Sequence, residues 1–390
     1  MRKGDRLLVV GAGAAGAATA AAYRESGGPA DVLLLGSEQH PPYQRPPLSK
    51  EFLRGESGRD DLWLHDRAWY AEREIELKLG AAVVAVDLDL AEVEDERGER
   101  HGFDVCVLAT GSRPVIPDSV ERGLQGVHAI RELERSERLR ESAGRGSKAL
   151  VVGSGFIGCE AAISLSRLGA DVRMITLERL PQIARLGPDA ALRIRDWLAE
   201  EGVWFEGETS LESIAGDGGD PLVRAGGLEV RPDVVLIALG IERNVELAHA
   251  AGLHLEDGAI RTDSSMRTSD PRVFAVGDVA AAMNVPAGRH LLVEHWGEAL
   301  NHGAIAGAAI AGATGDEASW TTAPGFWSSL GGRVLKQVAW GDGFDSSEFT
   351  ERGNGAFEVS YQRDDELVGV LAHDWDRAYE RGQRILEGRG

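Results

Sequence analysis

The sequence predicts an α/β protein in which one parallel βαβ unit occurs twice and a smaller α/β part follows. Three observations carry that expectation. The pattern of LLVVGAGAAGAATAAAYRESGGPADVLLLGSE returns in ALVVGSGFIGCEAAISLSRLGADVRMITLE. Each copy reads as a short apolar strand, a Gly-x-Gly-x-x-Gly turn, an Ala-rich helix and a second strand opening on Asp-Val. Each copy is also followed by an apolar strand closing on Ala-x-Gly, at Ala109-Thr110-Gly111 and at Ala238-Leu239-Gly240.

Taken in order, the first turn carries Gly11, Gly13 and Gly16, and the second carries Gly153, Gly155 and Gly158. Such glycines make the turn, let backbone approach a pyrophosphate, and pack helix on strand. The phosphate then meets free N–H groups at a helix N-terminus. Glu38 and Glu178 each lie three residues past the second strand, at the distance expected of a carboxylate for a ribose. One such turn is weak evidence, and its plain reading is a glycine-rich loop. Two, each flanked by strands and followed by an acid, imply two bound dinucleotides. Later, PRVFAVGDVA reads as a strand ending at Gly277-Asp278, which places a carboxylate at the ligand edge of an open sheet.

Bulk composition limits the alternatives. A chain of 390 residues calls for two or three domains. Its net charge of −21 excludes a nucleic-acid partner, because phosphate would be repelled. Two cysteines, Cys106 and Cys159, exclude a disulfide framework and imply a reducing, cytoplasmic setting. The basic start and apolar run at the N-terminus imitate a signal peptide, but the glycine spacing fits a strand–turn–helix better. No uncharged apolar run reaches the ~18 residues of a membrane span, so no membrane partner is expected.

The motifs VVGAGAAG, PPYQRPPLSK, LATGSRP, VVGSGFIGCE, ALGIERN, FAVGDVA, VEHWGEALNHG and PGFWSSLGG run through the whole chain. Together they resemble the FAD-dependent pyridine nucleotide-disulfide oxidoreductases, in the branch of ferredoxin reductases and apoptosis-inducing factor. The resemblance implies two Rossmann-like, three-layer ββα domains, the first for FAD and the second for NADH, with NADPH also open. It implies an FAD domain split over residues 1–115 and 246–318, a nicotinamide domain at 116–245, and an interface domain at 319–390. Toward FAD it implies Gly11, Gly13, Ala15, Gly16, Glu38, Arg45, Lys50, Val83, Ala109, Thr110, Gly111, Arg131, Gly277, Asp278, Glu294, His295 and Trp296. Toward the nicotinamide nucleotide it implies Gly153, Gly155, Phe156, Ile157, Gly158, Glu160, Glu178, Ala238 and Gly240.

Relatives that pass electrons through sulfur need a low-pKa thiolate in the segment after the first unit. Pro41–Lys50 has none, Cys106 lies mid-strand, and Cys159 lies on the nicotinamide side. Reduced flavin must therefore deliver electrons straight to an outside acceptor. By resemblance Lys50 lies beside the flavin and pairs with Glu160; its plain reading is a surface lysine opening a helix. The prolines are expected to set an extended loop that presents Arg45 and Lys50. By resemblance Trp327 stands at the flavin mouth where a ferredoxin docks; its plain reading is a core aromatic of the last domain. FWSSLGG departs from the family's FWSDQ, and residues 319–390 hold eight Lys/Arg against twelve Asp/Glu, so a basic docking face is not demanded.

Thr176 occupies the strand end where many NADH users place an acid, while Glu178 disfavours a 2′-phosphate. The expected activity is thus NADH-dependent reduction of a ferredoxin, serving an oxygenase, with catalytic positions Lys50, Glu160 and Trp327 and no metal. An NADH oxidase or quinone reductase of the same fold, or a redox-sensing interaction protein, stays open, as does monomer or dimer.

Overall fold

The computed structural model describes residues 1–388. In the first unit five strands lie parallel in the order Val273–Ala275, Val105–Leu108, Arg6–Val10, Asp31–Gly36, Ile75–Leu79. After the exposed Arg6 the central strand is apolar, and its side chains alternate between two cores: Leu7 and Val9 on one face, Leu8 and Val10 on the other. A parallel sheet covered on both faces requires such a run. The outermost strand, Val273–Ala275, returns to this sheet from beyond the whole second unit.

The second unit repeats the order with Val203–Glu206, Asp171–Ile175, Lys148–Val152, Val234–Ile237 and Val127–His128. Each unit carries a three-stranded antiparallel sheet, Val83–Asp87 with Glu92–Asp95 and Arg100–Gly102 in one, and the strands from Leu211 to Val230 in the other. These supply the third layer of a ββα sandwich. A short antiparallel pair, Ser112–Pro114 with Ile241–Arg243, joins the two units.

The last part is a five-stranded antiparallel sheet, in the order Gly325–Leu330, Arg333–Ala339, Glu366–His373, Phe357–Arg363, Ser346–Glu351, covered by the helix Asp376–Leu386. Alternation again divides its residues. Leu335, Phe357 and Leu371 join the core of the second unit, whereas Val338, Val370 and Ala372 join that of the first. The sheet therefore bridges both units.

The Ala- and Gly-rich helix Trp296–Ala311 packs on Ala14–Glu25 at backbone distance. A Cβ at Gly303 would lie 2.3 Å from the Ala15 carbonyl, and one at Gly307 would lie 2.4 Å from that of Thr19. Only glycine fits there, and this sets how closely the helix that opens at Trp296 meets the helix of the first glycine turn.

Candidate active site

Both glycine turns have the same steric logic. Gly11 has φ 111°, and a Cβ there would sit 2.2 Å from the Ala109 carbonyl; Gly153, at φ 107°, would meet that of Ala238 at 2.2 Å. A Cβ added at Gly16 or Gly158 would lie 1.9 or 2.3 Å from the carbonyl oxygen of Gly11 or Gly153. The middle glycines, Gly13 and Gly155, have nothing within 4 Å of an added Cβ. Each opens onto space above a helix whose N-terminus has no side-chain cap. Uncapped amides at an open turn are what a pyrophosphate needs, so both turns fit a dinucleotide.

Around the first turn the expected cofactor residues form one polar string. Glu38 accepts from Tyr43 Oη at 2.6 Å and from Arg45 Nη2 at 2.6 Å. Arg45 also donates to the Arg131 carbonyl, and the Arg131 guanidinium holds Asp278 at 2.9 Å. Ser112 Oγ donates to the same Asp278 oxygen at 2.7 Å. Burial, with Glu38 beside it, pushes the Tyr43 phenol well above its usual range, so it remains a donor. Gly277, at φ 75°, lies against Ala15, which brings Asp278 to the first turn. Thr110 is tied by two hydrogen bonds to Asn244, of 2.7 and 2.8 Å, and Val83 lies half-buried in the small sheet.

Pro41–Lys50 differs from the expected extended loop. Tyr43 forms an isolated bridge to Trp63, and Pro46–Ser49 is a 3₁₀ turn with its prolines at the first two positions. A proline's fixed φ suits a helical start and needs no N–H there. The turn drives Lys50 inward: it is 7% exposed and closes the turn instead of opening a helix. Its Nζ meets Glu160 Oε2 at 2.8 Å. Ser49 Oγ donates to that oxygen at 2.6 Å, and Ser328 Oγ donates to Oε1 at 2.7 Å. Glu160, itself buried, thus gathers donors from the loop and the last sheet while standing on the helix of the second glycine turn.

Trp327, 55% exposed, is no core aromatic, and the Lys50 ammonium lies 5.7 Å from its ring centre. Next to it Phe326 stacks on His295 at 4.4 Å and meets Phe156 edge-on at 4.6 Å. Burial, with Arg185 nearby, lowers the His295 imidazole to about 4, so it stays neutral. Glu294 is paired with Arg243, and Trp296 opens its helix half-buried. Ile157 is exposed at the second turn, the Ala238 carbonyl closes against Gly153, and Gly240 has φ 97° with nothing within 4 Å of an added Cβ. Thr176 faces inward, accepting from Ser154 Oγ at 3.1 Å. Glu178 accepts backbone N–H bonds from Gln182 and Ala184. Both cysteines are free and buried; burial pushes the Cys106 thiol up to about 12 and Cys159 higher still.

Sequence reasoning missed Tyr43, Ser49, Ser328 and Arg185. The first three sit inside the quoted motifs, yet nothing in those motifs marks which neighbour turns inward.

A family model described as pyridine nucleotide-disulphide oxidoreductase matches residues 5–303. The anthranilate 1,2-dioxygenase system ferredoxin–NAD(+) reductase component of Burkholderia cepacia is 36% identical over 332 residues, 83% of this chain and 79% of its own. A rubredoxin-NAD(+) reductase of Pseudomonas putida is 32% identical, covering 85% of each chain. A chain in the crystal structure of the covalent putidaredoxin reductase–putidaredoxin complex superposes with a TM-score of 0.93 at 27% identity, over all of this chain and 94% of that one. With its repeated turns, its shared sheet order and these likenesses, the chain belongs to the pyridine nucleotide-disulphide oxidoreductase family.

Proposed function

We propose that the protein is an FAD-dependent NADH:ferredoxin reductase of an oxygenase system, acting in the cytoplasm. One observation carries the reading: an ion pair buried under an exposed tryptophan, in a site whose adjoining loop holds no thiol. When bound, FAD would supply the step from two-electron to one-electron chemistry, taking hydride from NADH and releasing electrons singly. The chain's own residues hold and insulate it. We assign FAD binding to residues 1–115 with 246–318, nicotinamide binding to 116–245 and acceptor contact to 319–390.

Gly11, Gly13 and Gly16 present amides to one pyrophosphate; Gly153, Gly155 and Gly158 present them to the other. Glu38 and Asp278 offer acceptors to hydroxyl groups, with Arg45 and Arg131 fixing their orientation. Lys50 places a positive charge in a water-poor pocket. Glu160 supplies the opposing charge, 2.8 Å away, that burial of the ammonium requires. Ser49 and Ser328 complete the carboxylate's hydrogen bonds and fix where it points. Neutral His295 and the Phe156–Phe326 pair exclude water from the same cleft. Trp327 gives an acceptor protein a contact just above the ion pair.

Purified protein should be yellow, be bleached by NADH without air, and then reduce a ferredoxin at two molecules per NADH. Bleaching followed by turnover with oxygen or quinone alone would assign the acceptor differently.

A further inference from the structure

We propose that Glu298 is a positioning residue for the acceptor side of the site, holding the first residue of the strand that carries Phe326, Trp327 and Ser328. The proposal rests on the reading of Trp327 as the place where electrons leave.

Glu298 is 7% exposed and stands in the first turn of the helix Trp296–Ala311. Its Oε1 accepts from the Gly325 N–H at 3.4 Å, and its Oε2 accepts from Asn301 Nδ2 at 3.2 Å. Gly325 opens the strand Gly325–Leu330. At the start of the same helix, His295 stacks on Phe326 at 4.4 Å. Positions three apart share a helix face, so one face meets two consecutive residues of the strand. The next two residues enter the site directly. The Lys50 ammonium lies 5.7 Å from the Trp327 ring centre, and Ser328 Oγ donates to Glu160 at 2.7 Å.

The run into that strand is held from two sides. From the first unit, Asn301 also donates to Thr322 Oγ1 at 3.3 Å, and Asn284 Nδ2 donates to the Thr322 carbonyl at 2.9 Å. From the last helix, Glu387 accepts from the Ala323 N–H at 3.1 Å. Tyr379 closes on Gly325 itself, where an added Cβ would lie 2.3 Å from the phenol oxygen. Gly325 has no side chain with which to fix itself, so its place is set by Glu298 on one side and Tyr379 on the other.

Among the described residues no cation pairs with Glu298. Burial raises its carboxyl, opposed by Asn301, the Gly325 N–H and the Trp320 indole. On its own helix His295 and His302 are each lowered to about 4 by burial and stay neutral, with Asp278 opposing the change in both. On the last helix burial raises the Tyr379 phenol, and Glu298 and Glu387 add to the rise. Opening the joint returns the Glu298 carboxyl to its ordinary range, so ionisation favours the open form. The hold on Gly325 is therefore full while Glu298 keeps its proton, and it weakens as pH rises through the folded value.

The test uses the full chain with its flavin and compares Glu298→Gln, which mimics the neutral carboxyl, and Glu298→Ala with the parent. Amide hydrogen exchange over residues 325–330, corrected for the intrinsic effect of pH, reads the hold without turnover. Exchange there should be roughly tenfold or more faster in Glu298→Ala, because a buried N–H loses its acceptor. As pH rises, exchange should quicken in the parent and stay level in Glu298→Gln. For ferredoxin, kcat/KM should fall roughly tenfold in Glu298→Ala and recover in Glu298→Gln. Adding Glu298→Ala to Trp327→Ala should cause little further loss, since both act through one strand. Unchanged exchange in Glu298→Ala, or a full second loss on top of Trp327→Ala, would overturn the proposal. If Glu298→Ala does not fold, parallel pH courses of exchange in the parent and Glu298→Gln overturn it. A parent that reduces no ferredoxin, with residues 325–330 still loosened in Glu298→Ala, would overturn the acceptor reading and leave the hold on Gly325 standing.

Discussion

Lys50 and Glu160 concentrate the chemistry at the scale of single residues. Removing one partner of a buried pair leaves the other uncompensated, at a cost of roughly 3–5 kcal/mol. Glu160→Ala should therefore lower stability by about that amount in urea denaturation, and more than Ser328→Ala does. Lys50→Gln should keep bound FAD yet slow its anaerobic reduction by NADH by roughly 10²-fold, the scale of losing one preorganised electrostatic contact. Stopped-flow absorbance reads this directly, and unchanged kinetics would make Lys50 purely structural. Glu298 makes a second residue-scale case. It is buried in the helix Trp296–Ala311, accepts from Asn301 at 3.2 Å and from the Gly325 N–H at 3.4 Å, and burial raises its carboxyl above the ordinary 4.5. The folded protein then keeps a proton that the unfolded chain gives up. Stability contributed by that proton is present below about pH 4.5 and is lost as pH rises through the folded value. Glu298→Gln should consequently stabilise the protein at neutral pH, with an advantage that shrinks toward pH 4 in thermal denaturation.

Among elements, the glycine pair Gly303 and Gly307 decides how closely two helices meet. Gly303→Val would force a side chain into the Ala15 carbonyl, and about 3 kcal/mol of destabilisation with loss of bound flavin should follow. A thermal melt and the absorbance of the purified variant check both. The elements themselves were legible in the sequence wherever pattern and chemistry coincide. Two apolar strands, a glycine turn and a helix state their own order, and the Asp31 and Asp171 strand starts fall where the repeat puts them. Pro41–Lys50 was only half legible. Its missing thiol could be read directly, whereas its 3₁₀ turn could not, because Arg45 adopts a helical backbone before Pro46 that local sterics disfavour. Tertiary bonds from Arg45 to Glu38 and Arg131 hold it there. Ser328 and Arg185 were illegible for a related reason, since their partners lie on elements distant in the chain.

For the whole molecule, the last five-stranded sheet is the joint that turns two nucleotide units into one site. Its residues feed both cores, and from it Ser328 reaches Glu160, Phe326 reaches His295, and Trp327 covers Lys50. Charge is arranged differently from what acidic partners usually favour. Beside Trp327, Lys336 is tied to Asp376, while Arg333 is tied to Glu200 and Glu201. Electrostatic steering by this part of the surface is correspondingly weak. On the proposed function, electrons leave at Trp327, from a thiol-free site, to a ferredoxin. The most direct measurement is NADH-driven ferredoxin reduction by the parent and by Trp327→Ala, with anaerobic flavin reduction by NADH followed in parallel. The expected result is ferredoxin turnover in the parent, a roughly tenfold or greater fall in kcat/KM for ferredoxin in the variant, and flavin reduction by NADH at the same rate in both. Equal ferredoxin turnover in both proteins, or turnover in the parent with oxygen or quinone alone, would contradict it.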